Sequence, residues 1–289
     1  MRIFAVVAFA AILACASSLA AQTTAAEPDM MPWGILLDWR PDQGTVRYEA
    51  EDVQISIAPS DAANPEDRVA ILTVRSPGQT PVTLRGAPGT LWRFGIGRVD
   101  MRVKTPAVLL ETFTGGAHCC SVIDVAVPTG AAYRVVRLTR RDRDGTVRKM
   151  FDAELDRFPI DLSGDGIADF VLTDDAFLYR FSSYAGSVAP PIVLNIVNGR
   201  AVDVSGTPGL RPLFAYEMSK ARSYCIGPKW HTDERNGACA GYVANAARIG
   251  QFDAAWKRMM ARYDRSSTWN DKAFPSDLRD FLRQHGYIR

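Results

Sequence analysis

Residues Val46–Ala58 read VRYEAEDVQISIA, and this stretch decides the fold class. Apolar and polar residues alternate through it, and a period of two is the mark of a strand with one face buried. The same signal runs on to about Ser205. RVAILTVRS is rich in β-branched residues, and TPVTLRG, AVLLETF, SVIDVAV and YRVVRL follow, with turn residues between them. Asp144-Gly145 predicts a hairpin between YRVVRLTRRDR and TVRKMF, and Asn198-Gly199 turns IVLNIV into RAVDV. Phe177, Tyr179 and Phe181 fall on one face at period two, which predicts a further strand with a core-facing aromatic stripe.

Near Pro208 the period changes. RPLFAYEMSKARSY reads as a helix. From Tyr242 to Tyr263 the large apolar residues recur mostly three or four apart, predicting helix with a break at Gly250. A last helix is expected from about Ser276, burying Leu278, Phe281 and Leu282 and stopping at Gly286. The expected fold class is therefore α+β. An antiparallel β-rich N-terminal region over 22–207, built as a sandwich or as propeller-like blades, precedes an α-helical C-terminal region over 208–289.

Residues 1–21 carry the pattern of an export signal: Arg2, an apolar run from Ile3 to Leu13, and small residues at Ser18-Leu19-Ala20-Ala21. Ile12-Leu13-Ala14-Cys15 offers a competing route, lipid attachment at Cys15. No later stretch has the length of a membrane span. The expected location is periplasmic or extracellular. Across 289 residues, 34 basic side chains nearly balance 32 acidic ones, so charge gives no argument for nucleic acid.

Residues Asp161–Asp169 read DLSGDGIAD and place oxygen-bearing side chains at loop positions one, three, five and nine: Asp161, Ser163, Asp165 and Asp169. The Ile167 carbonyl is a further candidate, and Gly166 sits where the backbone must turn. Hard cations take several oxygen ligands on a tight curve, so the spacing predicts a structural calcium ion. An EF-hand is excluded, because position twelve is Leu172 rather than Glu and a strand-forming FVLT follows. The loop resembles those of FG-GAP and VCBS repeat proteins, integrin-like propellers with D-x-D-x-D-G-x-x-D between strands. The matching residues are Asp161, Ser163, Asp165, Gly166 and Asp169. Ser163 replaces the usual Asp or Asn. Gly86-Ala87-Pro88 and Phe94-Gly95 lie far upstream, and a single copy of the loop is present. The resemblance implies a local calcium loop more securely than a whole propeller.

Four cysteines remain after the export signal. Cys225 and Cys239 are the most local pair, and a bond closing a loop of that size stabilises by about 3 kcal/mol in the chain-entropy model. Cys119 and Cys120 are adjacent, and a bond between them is open but strained. With His118 they also form a candidate redox or metal centre, since His and Cys suit zinc or copper. Six basic residues around Asp144 offer an anion-docking face, or a solvated edge hairpin. No Walker loop, G-x-S-x-G, H-E-x-x-H or dinucleotide fingerprint occurs. The leading expectation is an exported, calcium-stabilised, non-enzymatic module that binds an envelope polymer or a protein ligand. The alternatives are an extracytoplasmic hydrolase with unannounced catalytic residues and a His/Cys metal or redox protein.

Overall fold

The computed structural model describes residues 28–289 other than 117–119, 144, 153–154, 229–233, 268 and 270–272. The strands, in chain order, are β1 (Asp29–Met30), β2 (Leu36–Trp39), β3 (Val46–Ala50), β4 (Val53–Pro59), β5 (Ala70–Arg75), β6 (Val82–Arg85), β7 (Leu91–Gly97), β8 (Ala107–Phe113), β9 (Ser121–Pro128), β10 (Tyr133–Arg137), β11 (Arg140–Arg141), β12 (Val147–Arg148), β13 (Phe170–Thr173), β14 (Pro191–Val197) and β15 (Arg200–Asp203). Among the described residues four helices follow: α1 (Arg211–Ile226), α2 (Arg235–Arg248), α3 (Phe252–Met260) and α4 (Phe274–Gln284). The α+β class and its order along the chain are as expected.

The quoted stretch forms the β3–β4 hairpin, with Val46 opposite Ile57, Tyr48 opposite Ile55 and Ala50 opposite Val53. It belongs to a five-stranded sheet in the order β1-β3-β4-β5-β6. A second sheet, β10-β9-β8-β7-β2, packs against it as a sandwich. Their common core holds Ile55, Ile57, Leu72 and Val74 from the first sheet and Phe94, Ile96, Val108 and Leu110 from the second. Trp39 and Trp92 lie opposite one another in register, edge to face at 6.0 Å. Each indole N–H donates to a backbone carbonyl, of Gly44 and Ala87 respectively, so neither leaves a buried donor unpaired.

The second sheet is a middle layer. Its other face, with Leu109, Ile123 and Val125, packs on Phe170, Leu172, Ile192 and Leu194 of a three-stranded sheet ordered β13-β14-β15. That sheet in turn meets Phe214 of α1 through Val193. Strands β8, β9 and β14 are thus buried on both faces over most of their length, which is why their sequences read as continuous apolar runs rather than alternations. Asn198 and Gly199, at φ 52° and 70°, make the β14–β15 turn the dipeptide predicts.

In the helical region α2 is the central element, buried from Asn236 to Ala246. Cys225 in α1 is bonded to Cys239 in α2 with Cα atoms 4.6 Å apart. Gly250 separates α2 from α3, and α4 buries Leu278, Phe281 and Leu282 as the periodicity requires. Among the described residues no helix is long and apolar enough to cross a membrane.

Two local expectations are corrected. The aromatic stripe is not a strand: residues Asp175–Phe177 form a 3-10 turn, and Tyr179 adopts φ 57°, which breaks the alternation. Phe177 and Phe181 nevertheless pack edge-on against Phe281 in the helical core, while Tyr179 is exposed. The basic hairpin is not simply a solvated edge either. Its paired strands are only two residues each, and Arg140 is 5% exposed, held by Asp174 and Asp203 at 3.0 and 3.2 Å.

Candidate functional site

Asp161–Asp169 leads into β13 and is clamped between layers. Met101 donates its N–H to the Gly166 carbonyl and Ala168 donates to Val99, joining the loop to the segment that follows β7. On its other side the Ser163 carbonyl lies against Gly209, just before α1. A Cβ at residue 209 would sit 2.1 Å from that oxygen, so only glycine permits the contact. The loop therefore touches both the sandwich and the entrance to the helical region.

The carboxylates are aimed at backbone amides. Asp161 accepts from Gly164 and Asp165 on Oδ1 and from Gly166 on Oδ2, at 2.7, 3.2 and 2.9 Å. Asp165 accepts from Ile167, and Asp169 Oδ2 accepts from Leu162 and Ser163 at 2.7 and 2.8 Å. Desolvation works to raise the Asp161 carboxyl, but the Gly166, Gly164 and Asp165 amides outweigh it and hold it below the usual range. Burial pushes Asp169 the other way, upward, against the pull of the Ser163 and Leu162 amides and with help from the Asp165 charge. The donor set of Asp161, Ser163, Asp165, the Ile167 carbonyl and Asp169 has the chemistry a hard cation needs. Among the described residues no group of three or more Asp, Glu, His or Cys side chains could hold a metal ion.

Asp161 has a second neighbour that the sequence did not announce. It lines the end of a groove of about 640 Å³, floored by Gly34, Ile35, Gly97 and Arg98 and walled by Asp156–Ile160. Trp33, Ile35, Met101 and Ile160 are 45–52% exposed there. The Arg98 guanidinium covers the Trp33 ring at 5.2 Å and pairs with Glu51. Phe158 forms the groove's inner wall, and it can do so only because residue 97 is glycine: a Cβ there would lie 2.3 Å from the Phe158 ring. Scattered single exposures of large apolar residues are ordinary, whereas several around one concavity mark a binding surface. The signal in the sequence is slight, because Trp33, Ile35, Met101 and Ile160 come from three separate segments.

His118 and Cys119 lie outside the described residues. Cys120 is buried and disulfide-bonded. Since Cys225 and Cys239 bond to each other, the partner of Cys120 also lies outside the described residues. Thr114 and Cys120 close the turn between β8 and β9: the Thr114 hydroxyl donates to the Cys120 carbonyl at 3.0 Å and accepts from its N–H at 3.1 Å. Cys15 and the export signal fall before the first described residue.

Over 241 residues the chain is 34% identical to a probable thylakoid lumen protein, sll0997, of Synechocystis sp., an alignment covering 75% of this chain and 67% of that protein. The chain belongs to the sll0997 family. Residues 215–286 match the family model described as the sll0997 C-terminal domain, which takes in most of α1 and the whole of α2, α3 and α4 with the Cys225–Cys239 bond. The chain is also 25% identical over 211 residues to the uncharacterized protein y4bJ of Sinorhizobium fredii, covering 66% of this chain and 31% of that one. It thus spans about a third of that second relative's length. No solved structure matches.

Proposed function

We propose that this protein is an exported, non-enzymatic binding module, and that its groove receives a protein segment bearing a large apolar side chain. The observation that carries this reading is the gathering of Trp33, Ile35, Met101 and Ile160 around one open concavity. The lining offers large apolar contacts with Arg98, Arg157 and Asp156 to orient a polar backbone, the usual composition of a ligand site. It contains no serine, cysteine or histidine, and its Asp161 carboxyl is held below the range that suits a general acid. An extracytoplasmic location is supported by the export pattern, by the Cys225–Cys239 bond and by the lumenal name of the Synechocystis relative.

Panning a displayed random-peptide library against the mature protein tests the groove. Peptides with an aromatic or long aliphatic residue should be enriched on the wild type and lost on a Trp33→Ala/Ile160→Ser variant. No enrichment on the wild type, or equal enrichment on the variant, would sink the reading.

The calcium expectation is a separate part of the proposal. It is supported by the oxygen spacing and by the crowding of Asp165 on Asp169, and opposed by the pairing of these carboxylates with backbone amides. Calorimetric titration of the mature protein with calcium, beside Asp165→Ala, decides it. Saturable binding lost in the variant makes the loop a calcium site. No binding leaves it an amide-satisfied turn.

A further inference from the structure

A second cavity, of about 250 Å³, lies where the β11–β12 segment and β15 meet the ends of α2 and α4. It shares no residue with the groove. Arg140, Arg141, Arg143 and Arg248 line it together with Asp142 and Asp203, an excess of two positive charges. Its remaining titratable neighbour, His285, is depressed by burial and is neutral near pH 7. Behind this lining Arg148 pairs with Asp142 and Asp175, and Asp174 pairs with Arg140, so the wider cluster still carries an excess of positive charge. Charge of this sign in a partly enclosed space selects an anion.

Among the described residues three side-chain atoms of the lining lack a hydrogen-bond partner; one, Arg140 Nη1, is ion-paired with Asp174, and the other two say which kind. Arg248 is stacked on the Tyr287 ring at 4.2 Å, which fixes the plane of its guanidinium, yet its Nε is shielded from solvent with no acceptor. A guanidinium donor held this way matches an oxyanion. Asp142 has a side chain only 8% exposed; its Oδ2 accepts from Arg148 at 2.6 Å, while its Oδ1 is shielded with no hydrogen-bond donor. Arg140 Nε, 3.8 Å away, is too distant to fill that role. Both residues line the cavity, and a buried donor or acceptor without a partner costs free energy until something fills it. The complementary ligand accepts from Arg248 and also donates a proton to Asp142.

We infer that this cavity binds a protonated phosphate-type oxyanion, inorganic phosphate, which unlike a monoester still carries a proton at neutral pH. Sulfate has the same shape and charge but carries no proton at neutral pH. Opposite the Asp142 oxygen it would set acceptor against acceptor. Discrimination between the two anions is therefore the signature of the site. Arg248 and His285 fall in the family-matched C-terminal segment and Arg140 and Asp142 before it, so the site is assembled only when the two regions pack together.

The test is calorimetric titration of the mature protein with inorganic phosphate and, separately, with sulfate. Phosphate should bind saturably and sulfate at least about tenfold more weakly. Arg248→Gln should abolish phosphate binding. Asp142→Asn, whose amide donates to either anion, should bring the two affinities together. Arg143→Gln, at the exposed rim, should weaken phosphate without altering the preference, and it serves if Arg248→Gln fails to fold. Absence of phosphate binding up to about 10 mM overturns the inference, as does equal affinity for both anions in the wild type. Phosphatidylglycerol vesicles form a third arm. Their phosphodiester has no proton to give, so vesicle binding without uptake of free phosphate also overturns it.

Discussion

Tyr287 donates its hydroxyl to Asp174 Oδ2 at 2.7 Å, although the two residues are 113 positions apart. Asp174 is wholly buried at the end of β13, and its other oxygen meets Arg140 at 3.0 Å. The three residues tie the third sheet, the basic hairpin and the C-terminus into one connection. Burial and the Asp174 charge push the Tyr287 hydroxyl well above its usual value, so it remains a donor across the physiological range. Tyr287→Phe removes that donor and leaves a buried carboxylate oxygen short of a partner, at an expected loss of about 1–3 kcal/mol. Asp174→Ala leaves Arg140 buried without its main counter-charge and should lose about 3–5 kcal/mol. Urea unfolding of both variants checks the order. A Tyr287→Phe midpoint equal to wild type would show that this bond adds nothing to stability.

The Cys225–Cys239 bond joins α1 to α2 across a sequence separation of 14 residues. Both sulfurs are buried in the helical core, so substitution exchanges a covalent link for a small packing defect. A Cys225→Ala/Cys239→Ala variant should lose about 3 kcal/mol, mainly because the unfolded chain gains freedom. Reductant should lower the melting temperature of the wild type by more than that of the double variant, in which the Cys120 bond is still reducible. An unchanged wild-type melting curve under full reduction, with free thiols at Cys225 and Cys239 verified by alkylation, would refute the stabilising role.

Legibility followed locality. The β3–β4 hairpin, the Asn198-Gly199 turn, the α4 face and the Cys225–Cys239 pair each depend on residues close in sequence, and period and turn chemistry exposed them. The layer order was hidden, because an apolar run such as that of β8 is equally consistent with several buried environments. Phe177, Tyr179 and Phe181 misled for a related reason: alternation was present, but the turn at Asp175–Phe177 and the positive φ of Tyr179 carry the same side chains to the helical core by another path. The groove and the arginine cavity were invisible, since each collects residues from distant segments. The acidic loop was legible in part. Its oxygens were legible, but their orientation toward backbone amides is a matter of three dimensions.

Gly97 and Phe158 should behave as a coupled pair. Gly97→Ala places a methyl group where the Phe158 ring lies, and overpacking of this kind costs about 1–3 kcal/mol. The ring must shift, and with it the inner wall of the groove. Phe158→Leu alone should also destabilise, because it leaves space beside Gly97. The double variant should be less destabilised than the sum of the single ones, with a coupling energy on the order of 0.5–3 kcal/mol. Additive losses in thermal unfolding would mean that the ring leaves the glycine without strain.

The pH dependence of stability should separate Asp161 from Asp169. Backbone amides depress Asp161 in the folded state despite desolvation, so its stabilising contribution is complete above its unfolded value near 3.8 and is lost as pH falls through the lower folded value. Asp169 is raised by burial, so its contribution has the opposite sign: it is present below the unfolded value and is lost as pH rises through the folded one. Asp100, depressed by its side-chain bond from Arg102, acts in the same direction as Asp161 and is unchanged in an Asp161 variant. Asp161→Asn should therefore melt below the wild type from about pH 5 upward, and the two curves should draw together as pH falls below about 3.8. A gap of constant size from pH 3 to pH 7, on the order of that seen at neutrality, would assign the loss to packing rather than to the charge of Asp161.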